Sequence, residues 1–178
     1  MQSFRRIIQS KYNASLNNAI IIRLALIATL FYFIYSFIYS YFGFKIGVHL
    51  MYIGGAAQLI FITFFIFSII SHRTTALLGV VSTYLVLVVD VYFSGGFFSH
   101  SLPWVILTPI YARLLLESNP IKIFWLIISG LTIVFFGYLE FVGISTPNFI
   151  INSKTEITAI SFLGIAVMVI MVTDLFER

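Results

Sequence analysis

The sequence predicts an all-α polytopic membrane protein, a bundle of six transmembrane helices. Hydrophobic residues make up 61% of the 178 positions and charged residues only 9%, which lies far outside the composition of a soluble domain. The apolar residues run in continuous blocks, without the alternation that is typical of a transmembrane strand. The chain contains no cysteine, which excludes disulfides, thiolate metal sites and a cysteine nucleophile.

Six apolar blocks form the predicted spans, because a helix that crosses a bilayer needs roughly 20 apolar residues. Glycine, proline and polar residues interrupt the sequence between the blocks, Gly43 and Gly47 among them. The leader 1–18 carries apolar and basic side chains, and is predicted as a short cytoplasmic amphipathic helix on the membrane surface or as a polar leader. The predicted spans are 19–42, 49–71, 74–92, 102–116, 121–142 and 157–175.

The distribution of basic residues predicts the orientation of these spans. With the N-terminus in the cytoplasm, eight lysines and arginines lie inside and only Lys45 and Lys154 lie outside. Because cytoplasmic segments are enriched in basic residues, both termini are predicted to be cytoplasmic. The basic residues form no cluster typical of nucleic-acid binding, so the predicted partner is the lipid bilayer. The inside residues are Arg5, Arg6, Lys11, Arg23, Arg73, Arg113, Lys122 and Arg178.

Ionisable residues inside apolar blocks are candidates for a functional site, because charges are costly in hydrocarbon. Asp90 lies near the outer end of the third span, and Glu140 lies at a similar depth in the fifth. Solvation at the membrane interface explains both acids equally well. His49 begins the second span, and His100 stands among glycine and serine, where a solvated loop histidine is the favoured interpretation.

A tyrosine stripe on the first span points toward the same layer of the membrane. Tyr32, Tyr35 and Tyr39 follow helical spacing and share one face, and Thr83 lies two turns below Asp90. Together these residues predict an outward-facing polar cavity with aromatic walls, although such a stripe also occurs in ordinary helix packing. The residues predicted to bind a ligand are Tyr35, Tyr39, Asp90, His100, Trp104 and Glu140.

The sequence offers no catalytic or cofactor motif. It contains no GxSxG or HExxH motif and no nucleotide-binding glycine loop. Histidines and carboxylates could suit zinc or copper, but no pair has the spacing of metal ligands. We therefore predict neither a catalytic residue nor a metal or cofactor within these residues.

The third and fourth spans are joined by a predicted hinge. Gly95 and Gly96 form a turn, and Pro109 should kink the fourth span because it removes a backbone hydrogen bond. Arg113 and Glu117 are four residues apart and can pair along one helix face.

The stretch from Ser94 to Trp104, SGGFFSHSLPW, followed by Pro109-Ile-Tyr-Ala112, resembles a known six-helix input module. That module precedes the cytoplasmic domains of bacterial sensor histidine kinases and some class III nucleotide cyclases. The residues that match its pattern are Gly95, Gly96, Trp104, Pro109 and Ala112. His100 departs from the pattern, since a proline is frequent there, and no role is carried over to it.

The resemblance implies a sensory domain in the bacterial inner membrane that senses a small ligand or the state of the membrane and acts as a homodimer. No glycine or proline follows the last apolar block, which is expected either of a small complete protein or of part of a longer one. The resemblance implies the second, with the last helix continuing beyond Arg178 into an output domain. The layout is also similar to that of the substrate-binding subunits of vitamin importers, which is the alternative function. A purely structural membrane protein is a third possibility.

Overall fold

The computed structural model describes residues 2–116, 119–147 and 154–177, and these residues form helices and connecting turns without a β-strand. The predicted all-α fold is therefore confirmed. A short 3-10 helix, Gly96–Phe98, lies between the third and fourth α-helices. The helices are α1 (Gln2–Tyr41), α2 (Lys45–Ile66), α3 (His72–Phe93), α4 (Leu102–Leu115), α5 (Asn119–Phe141) and α6 (Lys154–Glu177).

Four of these helices are long and apolar enough to cross a membrane: the Asn18–Tyr41 part of α1, and α2, α3 and α5. Their mean hydropathy lies between 1.7 and 2.1, and many large apolar side chains point outward. That pattern suits a lipid surround, since lipid tails solvate such side chains well. With 14 residues, α4 is only about 21 Å long, which is shorter than the roughly 30 Å hydrocarbon layer.

Helix boundaries differ from the predicted spans where local chemistry decides them. No break separates the leader from the first span, because α1 is continuous from Gln2. The second helix ends at Ile66 rather than at Ser71, and Ser68 has a positive φ of 58° in the turn that follows. Ser71 instead caps α3, since its Oγ accepts a hydrogen bond from the Thr74 N–H at 3.2 Å.

Consecutive helices pack side by side from α1 to α5, and the contact of α1 with α2 is the most extensive. Gly54 permits this close approach, because a Cβ there would lie 2.6 Å from the Tyr32 ring. Gly47 was expected in a loop but lies inside α2, where a Cβ would overlap the rings of Phe44 and Tyr39. α6 contacts α1 only sparsely. We call the end of the bundle that holds Tyr39 and Asp90 the Asp90 end, and the opposite end the Arg113 end.

The connection between α3 and α4 folds into the bundle at the Asp90 end. Gly95 and Gly96 have φ values of 112° and 61°, a left-handed backbone that glycine adopts without steric cost. Ser94, Ser99 and Ser101 are buried in this connection. This buried connection occupies the stretch between α3 and α4, so α4 begins only at Leu102.

Candidate functional site

Asp90, in the last turn of α3, is completely buried, with 0% of its surface exposed. Its Oδ2 accepts a hydrogen bond from the Tyr39 hydroxyl at 2.8 Å and another from the Ser101 Oγ. Its Oδ1 has no hydrogen-bond partner among the residues that the structure describes. One carboxylate oxygen is thus held by α1 and by the α3–α4 connection, and the other is left for a further partner.

The Tyr39 hydroxyl is the centre of this cluster. It lies 2.7 Å from His100 Nε2, and its only hydrogen is donated to Asp90 when the carboxylate is ionised. The hydroxyl must then accept from His100, so Nε2 of that ring carries a proton. The rings of Tyr39 and His100 are also nearly perpendicular, with centroids 5.4 Å apart.

A chain of serines fixes the connection against α3. The Ser94 Oγ donates to the Asp90 carbonyl oxygen at 2.5 Å, so the Ser99 Oγ donates to Ser94 across a further 2.5 Å. The Ser101 N–H donates to the Ser99 Oγ at 3.0 Å. These bonds position the Ser101 hydroxyl against the Asp90 carboxylate.

Asp90 lies on the wall of a cavity of about 70 Å³ inside the bundle. Ser101 and Thr83 contribute hydroxyl groups to the same wall, and no lysine or arginine lines it within the described part of the chain. The buried Tyr32 hydroxyl and Trp104 indole N–H, also on the wall, have no hydrogen-bond partner among the described residues. Five aromatic side chains line the cavity: Phe31, Tyr32, Tyr35, Tyr39 and Trp104.

The sequence places Tyr39 at this site through tight packing between α1 and α2. Gly47 leaves room for the Tyr39 ring, which packs edge-on against Phe44 with centroids 5.1 Å apart. Tyr35, one turn earlier, packs edge-on against both Tyr39 and Trp104. A side chain at Gly47 would displace the ring that holds Asp90.

The same aromatic wall contacts α6. The Tyr35 hydroxyl donates to the Ile160 carbonyl oxygen at 3.3 Å, and Met168 lines the cavity from α6. A Cβ at Gly164 would lie 2.6 Å from the Tyr35 hydroxyl oxygen and 3.2 Å from the Trp104 ring. The cavity is therefore shared by the start of the bundle and by its last helix.

The structure brings together four of the residues predicted from the sequence, Tyr35, Tyr39, Asp90 and Trp104, around this cavity. His100 does not line it, but bonds to Tyr39 directly behind it. The expectation of a solvated loop histidine is wrong, because His100 is only 3% exposed. The buried α3–α4 connection carries this histidine into the bundle.

Two other polar residues of the predicted outer layer lie apart from the cavity. Glu140 is exposed and lines a separate pocket of about 280 Å³, together with Gly95 and Thr146. His49 is exposed on α2, with its Nδ1 2.7 Å from the Lys45 carbonyl oxygen. Neither contributes to the Asp90 site.

The predicted hinge residues are spread over the length of α4 and the connection before it. Pro109 lies inside α4, and Arg113 is exposed in its last turn. Glu117 lies outside the described residues, so its predicted pairing with Arg113 is not described either. The hinge role of Gly95 and Gly96 stays a prediction.

Sequence reasoning missed Gln58, which is buried between α2 and α3. Its Nε2 lies 3.0 Å from both the Gly79 carbonyl oxygen and the Thr83 Oγ1 and 3.3 Å from the Ser82 Oγ, so its two N–H groups are shared among three acceptors. The signal was present, because a lone amide in an apolar block usually bonds to a neighbouring helix. Ser101 and Met168 were missed as well, and nothing in their local sequence marks them.

No family model, curated protein or solved structure matches this chain.

Proposed function

We propose that the chain is the six-span sensory domain of a bacterial receptor, with both termini in the cytoplasm and the Asp90 end outside. The receptor class that we propose is a sensor histidine kinase of the inner membrane. The cavity beside Asp90 is its sensing site. The observation that carries the proposal is the buried, half-paired Asp90 carboxylate on a cavity whose wall includes α6.

The contacts of α6 support a signalling role for that helix. Ile157 and Ser161 are its only buried residues among the described side chains. The rest of its attachment near the cavity involves Tyr35, Trp104 and Gly164. A ligand that moves the two aromatic rings therefore displaces a helix with few other contacts, provided that it binds the two states with different affinity.

The outer face of α6 supports the proposed homodimer. Large apolar side chains on this helix are exposed, including Phe162, Leu163, Val167 and Ile170. In the proposed receptor, part of this surface contacts α6 of a second copy and the rest contacts lipid. A shift of α6 within each copy then changes the geometry of the pair.

Disulfide crosslinking tests this proposal directly, because the chain has no cysteine of its own. Single cysteines are introduced into the full-length protein as Leu163→Cys, Val167→Cys and Ile170→Cys. Crosslinking is then measured in native membranes. We expect crosslinked dimers at positions with helical spacing, and a changed crosslinking rate when Asp90→Asn is added. Ile123→Cys, on the exposed face of α5, is the control that should stay monomeric.

Two results would count against the receptor proposal. One is the absence of a crosslinked dimer at every α6 position. The other is an identical crosslinking pattern with and without Asp90→Asn, since the cavity would then have no influence on α6.

The size of the cavity does not favour the alternative of a vitamin-importer subunit. Pockets that bind drug-sized ligands measure about 300–1,000 Å³, several times the volume of about 70 Å³ beside Asp90.

A further inference from the structure

We propose that the cavity beside Asp90 binds a small organic cation, an alkylammonium ion of about two to four non-hydrogen atoms. The proposal deepens the proposed function, on which it rests, by naming the chemical class of the ligand at the same site. Three observations carry it: the unpaired carboxylate oxygen, the aromatic walls and the volume of the cavity.

The carboxylate supplies the charge complement. Asp90 Oδ1 is buried and has no hydrogen-bond partner among the described residues, and Asp90 is one of the residues that line the cavity. A buried charge is costly unless it is paired. An ammonium group in the cavity donates an N–H to Oδ1 and compensates the charge, whereas an anion would be repelled and a neutral ligand would leave the charge unbalanced.

The aromatic walls favour a cation further. The faces of tryptophan, tyrosine and phenylalanine rings attract ammonium groups within about 6 Å, and five such side chains surround the cavity. Their apolar surface also suits the alkyl part of the ligand. A hard metal ion such as Mg²⁺ or Ca²⁺ fits poorly, because it requires about six or more oxygen ligands.

The volume limits the size of the ligand. One water molecule needs about 10–15 Å³ of cavity volume of this kind, so about 70 Å³ accommodates a small alkylammonium ion such as ethylammonium. A ligand of three non-hydrogen atoms is bound with a Kd of about millimolar at best. The expected affinity is therefore that of a receptor for an abundant small amine.

The experiment uses the protein in lipid nanodiscs and ethylammonium chloride as the probe. The probe concentration is raised to about ten times the expected millimolar Kd. Ethanol is the neutral ligand of the same size, sodium acetate is the anion, and sodium chloride keeps the ionic strength constant. The readouts are the thermal unfolding midpoint and tryptophan fluorescence, since Trp104 lies on the wall. We expect ethylammonium alone to raise the midpoint and to change the fluorescence over the same concentration range.

Two variants test the residues. Asp90→Asn should weaken ethylammonium binding at least about tenfold, because it removes a hydrogen bond to a charged group. Glu156→Gln removes an exposed carboxylate at the start of α6 and should bind as the original protein does. Met168→Phe keeps the carboxylate but narrows the cavity, so it should weaken the binding of ethylammonium more than that of methylammonium. This variant serves as the test if Asp90→Asn does not fold.

The outcomes separate this proposal from the receptor proposal. Ethylammonium that stabilises no better than ethanol, or equally well after Asp90→Asn, overturns the cation site. If α6 crosslinking nevertheless depends on Asp90, the receptor proposal stands and only the ligand class is wrong. If ethylammonium binds but α6 never crosslinks, the cation site stands without the receptor.

Discussion

Two of the buried polar clusters in the described part of the chain, centred on Gln58 and on Asp90, differ in how the central side chain is hydrogen-bonded. At the Gln58 cluster, a neutral amide donates to the Gly79 carbonyl oxygen and to the Thr83 and Ser82 hydroxyls. At the Asp90 cluster, an acid receives two hydrogen bonds on one oxygen and none on the other. Thr83 belongs to both, since it accepts from Gln58 and lines the cavity beside Asp90.

The contrast separates a structural contact from a binding site. Gly79 leaves room for the Gln58 side chain, with a Cβ there 3.3 Å from Oε1, and the amide joins α2 to α3 and does not line the cavity beside Asp90. Asp90 is equally buried, but one of its carboxylate oxygens has no hydrogen-bond partner among the described residues, and Asp90 lines a cavity. Burial of a polar group alone therefore does not mark a site; an unmet hydrogen bond beside a cavity does.

Tyr39→Phe is the substitution with the largest expected effect on this comparison. It removes the hydroxyl that bonds to Asp90 and to His100, and a hydrogen bond to a charged group contributes about 1.5–3 kcal/mol. We expect the free energy of unfolding to fall by about 2 kcal/mol, measured by denaturant titration in mixed micelles. Tyr41→Phe, on the same helix but 81% exposed, should change it little; equal effects of the two would show that the buried bonds contribute nothing.

Gln58→Leu should have a smaller effect, because the Gln58 cluster is neutral. Hydrogen bonds between helices in membranes contribute about 0.6 kcal/mol on average, and leucine fills a similar volume. We expect a loss of about 1 kcal/mol in the same titration. Thr63→Val, which removes a hydroxyl bonded only within α2, is the matched control. A loss larger than that of Tyr39→Phe would reverse the order that the comparison predicts.

The number and order of the helices were predictable from the sequence, because hydrophobicity and length alone determine where apolar blocks occur. The burial of the α3–α4 connection was not. Nothing in Ser94–Ser101 indicates that its hydroxyls bond to one another and to α3 rather than to water, since this depends on the long-range contact with Tyr39.

The site was predictable only in part, for a similar reason. Helical spacing placed Tyr35 and Tyr39 on one helix face. Asp90 stood out because a charged side chain is costly in hydrocarbon. These three residues do lie together around the cavity. Depth in the membrane also grouped Glu140 with them, but depth does not specify the side of a helix. Its exposed position on α5 follows from helix packing that one sequence does not reveal.

A pair of serine substitutions tests the difference between the two clusters. Ser101 bonds to Asp90, and Ser82 bonds to Gln58. Ser101→Ala removes one of the two hydrogen bonds to the Asp90 carboxylate, so we expect a loss of about 1.5 kcal/mol, the lower end of the range for a bond to a charged group, because Tyr39 still donates to the same oxygen. Ser82→Ala removes only a 3.3 Å acceptor of Gln58, whose amide still bonds to Gly79 and Thr83, and should change the free energy of unfolding by less than about 0.3 kcal/mol. Equal losses for both serines would mean that charge does not distinguish the clusters. A greater loss for Ser82→Ala would mean that the bundle depends on the Gln58 cluster more than on the Asp90 cluster.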